Sequence, residues 1–305
     1  MGLLDLRHGD VHIICSSREL LGAHGVTGLA LTDSHLLAAV QNSSMGPFLA
    51  IFDRQAFQFI DRHVFELARD VHSIVVDGND VVVASSGTDE VVRVRLEGSR
   101  VISEAVVWRP DSSAPRGDYH HLNALCHANG DLLVSGFGRK PGKLWSSAHD
   151  GFIFNITTNQ VVVCNIDQPH SIVALGETLA YCESRRMRIR TVNDSRQVTL
   201  PGYTRGLCRT GDTLCVALSQ GRKSSKSTGI LENPSDAVEV AEDSATLPLQ
   251  GTCSVVCASV ATFEPLWTID LSLYASEIYD LIPVPRFDDG RPCVHPGPAN
   301  IAGKQ

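Results

Sequence analysis

Read for the alternation of apolar and polar positions, the chain is a succession of short β-branched runs broken by Gly, Asp and Asn turns, with hardly any sustained helical periodicity. The segment from Val71 to Trp108 shows the unit: apolar strands over His72–Val76, Val81–Ser85, Glu90–Leu96 and Val101–Trp108, with turns at Asp77-Gly78-Asn79-Asp80 and at Gly87. Such a four-stranded antiparallel meander is one blade of a propeller. An acidic residue opening an apolar strand marks each recurrence, at Asp33, Asp80, Asp131, Glu177 and Asp212, successive gaps of 47, 51, 46 and 35 residues.

A sixth copy, Gly9-Asp10-Val11-His12-Ile13-Ile14, has no inner strand before it, whereas Glu277–Val284 carries an inner-strand pattern followed only by a Pro/Gly-rich tail. The pattern therefore predicts an all-β, six-bladed β-propeller whose sixth blade is closed by N- and C-terminal strands, an arrangement that leaves no sheet edge exposed. It predicts a single domain over residues 1–290, a long loop insertion over 219–250 in the fifth blade, and a flexible tail over 291–305. A β-sandwich also has short strands and frequent turns, but it does not predict that the two chain ends complement each other.

At 305 residues, with 43% hydrophobic and 20% charged side chains, the chain can bury a sizeable core. A net charge of −8, with Lys and Arg scattered singly, argues against nucleic acid or an anionic membrane as partner. No run approaches the roughly 18 apolar residues of a membrane span, and the N-terminus lacks a secretory pattern, so the expected location is cytoplasmic. The nine cysteines form no CxxC pair and most sit inside apolar runs, as reduced core residues do.

The first strand of each blade faces the propeller axis. Aligned by sequence, these strands present Thr27-Gly28-Leu29, His72-Ser73-Ile74, His121-Leu122-Asn123, His170-Ser171-Ile172, Arg205-Gly206-Leu207 and Tyr279-Asp280-Leu281. Three imidazoles at matching positions suit a divalent transition metal (Zn, Fe or Mn) with open positions for water or substrate, which makes His72, His121 and His170 candidate ligands. The alternative is that each hydrogen-bonds a neighbouring blade and plugs the channel. Arg205 is a permanent cation able to hold a carboxylate or phosphate, and Asn123 points the same way as His121 on an alternating strand. Gly221–Ser227 lacks the glycine before lysine that a phosphate loop requires, and no G-x-S-x-G elbow is present.

The motifs Asp70-Val71-His72, His121-Leu122-Asn123-Ala124-Leu125, Pro169-His170-Ser171, Leu200–Leu207 and Glu277-Ile278-Tyr279-Asp280 occur in the order seen in a bacterial conserved-hypothetical propeller family, domain of unknown function 4915, which the chain resembles from about Asp10 to Pro285. The resemblance implies a six-bladed propeller and marks His72, His121, Asn123, His170, Arg205 and Tyr279 as shared positions. It implies no reaction.

Two classes of function follow. One is a metal-assisted enzyme of hydrolase or lyase type acting on a small anionic metabolite, with Arg205 and Asn123 binding substrate and Tyr279 or Glu277 managing protons. The other is a non-catalytic ligand- or protein-binding propeller with structural histidines, its protein partner held by the 219–250 loop. A lactonase-like hydrolase is disfavoured, because such sites favour Ca²⁺ on oxygen ligands.

Overall fold

The computed structural model describes residues 1–6, 8–16, 18–143, 145–220 and 252–284. The 291–305 tail, and the 219–250 insertion from residue 221 onward, lie outside the described residues. Apolar alternation builds five four-stranded antiparallel sheets. Blade 1 comprises β3 (Gly25–Leu31), β4 (His35–Gln41), β5 (Phe48–Asp53) and β6 (Phe59–Val64). Blade 2 comprises β7 (Val71–Asp77), β8 (Asp80–Ser85), β9 (Glu90–Glu97) and β10 (Arg100–Trp108). Blade 3 holds β11 (Leu122–Ala128), β12 (Asp131–Gly136), β13 (Gly151–Asn155) and β14 (Gln160–Ile166). Blade 4 holds β15 (Pro169–Leu175), β16 (Thr178–Glu183), β17 (Arg188–Thr191) and β18 (Gln197–Thr199), and blade 5 β19 (Tyr203–Thr210), β20 (Thr213–Ser219), β21 (Ser254–Ser259) and β22 (Pro265–Asp270). Among the described residues no helix is long and apolar enough to cross a membrane.

Second strands such as β8, with Val81, Val82, Val83 and Ala84 fully buried, read as continuous apolar runs because both sheet faces are covered by neighbouring blades. Outer strands such as β6 and β22 are largely exposed. Apolar clusters between sheets join blade 1 to 2, 2 to 3, 3 to 4 and 4 to 5. Eight described cysteines are free, and all but Cys164 are buried, as expected of reduced core residues.

The structure has five blades, not six. Residues around Asp10 form only β2 (Val11–Ile13), paired with β1 (Gly2–Leu4) in a two-stranded sheet, and Glu277–Val284 joins no ladder. Its polar groups go elsewhere: Ile278 N–H donates to Ser219 Oγ (3.1 Å), and the Asp280 carboxylate accepts from Leu281 N–H and Leu29 N–H (each 2.8 Å). Pro283 has no N–H to give a ladder. The two pieces nevertheless fill the gap between the last blade and the first: Leu4, Leu6, Ile278 and Leu281 pack on the blade 5 cluster, and Met1, Leu3, Ile282 and Val284 on that of blade 1.

Candidate functional site

Counting back from the hairpin pairs Asp77↔Asp80, Ala128↔Asp131, Leu175↔Thr178 and Thr210↔Thr213, the residue five positions earlier is His72, Asn123, His170 and Arg205 in turn. Each sits at or beside a register break in the inner pair, where the strand bends and its side chain is re-aimed. His121 is not at the position of His72 and His170. It lies two residues earlier, level with Asp70, Gln168 and Tyr203, and this corrects the matching read from sequence. Asp70, His121 and Gln168 share a left-handed backbone, with φ of +47°, +51° and +52°.

Tyr279 falls on the His72 tier. A Cβ on Gly28 would meet Ser73 and Ile74 of the next blade, and one on Gly206 would meet Asp280 and Leu281 in the same way. Asp280 thus stands where Ser73 stands, and the residue before it where His72 stands. The closing hydrogen bond repeats as well: Leu125 N–H donates to Ser73 Oγ (3.1 Å), and Leu29 N–H to Asp280. Beyond this tier lies a cavity of about 240 Å³, lined by Ser73, Leu125, Ile172, Leu207 and Asp280 among others.

Arg205 is 8% exposed, and its Nε has no hydrogen-bond partner. Its guanidinium carbon lies 4.3 Å from the Tyr279 ring centroid and 5.1 Å from that of Tyr203. No carboxylate among the described residues pairs with it, although burial of an unpaired charge is costly.

The imidazoles differ from one another. Ser184 Oγ spends its one proton on Thr204 O, so it accepts from His170 Nδ1–H (2.7 Å), which also points at Gln168 O (3.1 Å). Nε2 of His170 is therefore the unprotonated nitrogen. Asn123 Nδ2–H donates to His72 Nδ1 (3.3 Å), and His72 Nε2 lies 3.3 Å from Asp70 Oδ1, so each nitrogen of His72 has a polar group beside it. Burial holds His72 below the ordinary histidine range against the pull of Asp70, and burial reinforced by Arg205 holds His170 well below it. Both are neutral at pH 7.

His121 Nδ1 lies 3.2 Å from each Asp118 oxygen, and its ring packs against Phe137 (4.7 Å), Trp145 (4.6 Å) and His72 (4.7 Å). Phe137 stands between it and His170, 5.1 Å from the latter's ring. The ligand atoms that lie within 4.8 Å of one another belong to Asp70, Asp118 and His121, and the three imidazoles form no such group. Glu277 is beside Cys253, whose thiol burial, Asp270 and Glu277 together push up to about 11.

Asp118, Gln168, Tyr203, Trp145 and Ser184 complete the mouth, and of these Gln168 and Tyr203 recur at the level of Asp70 and His121. Tyr203 donates to Gln168 Oε1 (2.7 Å), and Gln168 Nε2 donates to Trp145 O (2.9 Å). Asp70 and Tyr203 stood inside motifs visible in the sequence. Asp118, in a connecting loop, and Trp145, which opens a short 3-10 turn between β12 and β13, are placed only by the fold.

Among solved structures the fold is similar to a chain of the nidogen/laminin complex, at 12% identity and a TM-score of 0.59 over 91% of this chain and 92% of that one. It is also similar to the Cps50 (Swd1) β-propeller domain of Myceliophteria thermophila, at 11% identity and a TM-score of 0.50 over 84% and 75%. A comparison with curated protein sequences gives no match. The model of the family described as a domain of unknown function, DUF4915, matches residues 29–291, and the chain, a β-propeller with these motifs, belongs to that family.

Proposed function

We propose that the channel mouth takes up a small anionic metabolite, held by Arg205 and Asn123, and that a divalent transition metal (Zn, Fe or Mn) beside it supports hydrolase- or lyase-type chemistry. The observation that carries this reading is the buried Arg205 guanidinium, which pairs with no carboxylate among the described residues, a charge whose burial a bound carboxylate or phosphate would offset. Neutral His170 offers a lone pair to a proton donor on the ligand. Tyr279, stacked on Arg205, and Glu277 on the same segment are the groups assigned to proton transfer. A cytoplasmic location fits the eight described cysteines, all of them free.

A second reading has a specific observation behind it. Nδ1 of His72 and Nδ1 of His170 are hydrogen-bonded to neighbouring groups and Nε2 of His72 lies against Asp70, as in a propeller whose histidines brace a binding channel that does no chemistry. Calorimetric titration with inorganic phosphate and small dicarboxylates tests ligand uptake. Wild-type protein should bind at least one of them, and Arg205→Met should abolish the heat while Arg205→Lys weakens it. No binding by wild type, or equal binding by Arg205→Met, rejects the anion site. Binding without turnover on added Mn²⁺ or Zn²⁺ selects the second reading.

A further inference from the structure

We infer that the cation of this mouth is held by Asp70, Asp118 and His121, not by three imidazoles. The inference rests on the proposed anion site but concerns different residues. His121 Nδ1 and an Asp118 oxygen are 3.2 Å apart. Two ligands at about 2.1 Å from one ion, roughly 100° apart, have that separation. Asp70 brings a second carboxylate, so all three ligand atoms lie within 4.8 Å of one another and reach one ion with small side-chain rotations.

The three are positioned by the scaffold. Asp70 and His121 occupy the same left-handed site at the entry to neighbouring inner strands. The His121 ring is clamped by Phe137 and Trp145. Asp70 and Asp118 have side chains 32% and 27% exposed, so an ion there keeps open positions towards solvent and ligand. One nitrogen and two carboxylates make a mixed donor set of the Mn²⁺, Fe²⁺ or Zn²⁺ class. The orphaned Nε of Arg205, on the same tier as His72, whose ring lies 4.7 Å from that of His121, is the independent sign that this mouth receives a ligand. A carboxylate or phosphate reaching both the arginine and the ion would neutralise each.

Trp145, 4.6 Å from His121, supplies the readout, because paramagnetic Mn²⁺ at His121 quenches its fluorescence. Chelator-stripped protein is titrated with Mn²⁺, following tryptophan emission and free Mn²⁺ by electron paramagnetic resonance. Wild type should bind one equivalent with quenching, and Trp145→Phe should bind without most of it. Asp118→Asn and His121→Gln should weaken binding by roughly tenfold or more, with His170→Gln unchanged. Circular dichroism and urea midpoints confirm that each variant is folded. Absence of saturable Mn²⁺ and Zn²⁺ binding in wild type overturns the inference. So does a loss in His170→Gln that Asp118→Asn does not share, which would restore the three-imidazole set. Phosphate titration of the stripped protein is scored separately: phosphate binding without metal leaves the anion site standing alone, and metal without phosphate leaves the cation site standing alone.

Discussion

Burial keeps His72 and His170 neutral, and the permanent charge of Arg205 nearby works in the same direction. Burial lowers both histidines from the ordinary value of 6.5, so below about pH 6.5 the unfolded chain binds protons that the folded chain refuses. Their stabilising contribution is therefore full above that pH and is lost as pH falls, by at most about 1.4 kcal/mol per pH unit for each histidine while it stays neutral in the folded chain. Asp280 acts in the opposite sense. Its burial raises it to about 6, so the folded chain holds a proton that the unfolded chain releases, and stability falls as pH rises from about 4 to about 6. Urea midpoints from pH 4.5 to 7.5 should thus show an acid loss that His170→Gln makes shallower and Asp280→Asn makes steeper below pH 6. Unchanged slopes in both variants would show that neither group titrates as its burial requires. At this scale the positions of Arg205 and Asn123 on inner strands were legible in the sequence, because Arg205 matches the histidines in the repeat and Asn123 lies two residues beyond His121 on an alternating strand. Asp118 and Trp145 were not, since neither lies on a strand and neither carries a period.

At the scale of the element, the inner strands are set by two glycines that let neighbouring strands meet. A Cβ on Gly28 would lie 2.8 Å from Ile74 N, and one on Gly206 would lie 2.9 Å from the Asp280 carbonyl carbon. Gly28→Ala and Gly206→Ala should each cost roughly 1–3 kcal/mol by urea denaturation, because the atoms met are backbone and cannot rotate away. In Gly206→Ala the 277–284 segment should also exchange its amide hydrogens faster, which hydrogen-exchange mass spectrometry reads directly. The strands themselves were visible in the alternation of apolar residues. The level of His121 within its strand was not: a two-residue slip keeps every side chain on its face, so the apolar pattern is blind to it. Only the hairpin register, Ala128↔Asp131 against Asp77↔Asp80, separates His121 from His72 and aligns it with Asp70.

For the molecule as a whole, the question is how five blades close. The two-stranded β1–β2 sheet and the 277–284 segment lie between blade 5 and blade 1, and Asp280 repeats across the join the contact that Ser73 makes between blades 2 and 3. A chain ended at Ser276 loses Leu281, Ile282 and Val284 from these clusters and exposes the first strand of blade 1. It should lose roughly 3–6 kcal/mol of stability by urea denaturation and self-associate on size exclusion through the uncovered edge. An unchanged midpoint and a monomeric profile would show that closure contributes little. The sequence by itself determined the all-β class, the recurring four-stranded meander, the buried second strands and the idea that the two ends of the chain meet, because each is written in local alternation and turn chemistry. The tertiary structure decided that the ends meet without forming a sixth blade, that His121 stands a tier away from His72 and His170, and that Asp70 and Asp118 gather around it. Those depend on register and on loops brought together over long stretches of chain, where no local period reports the outcome.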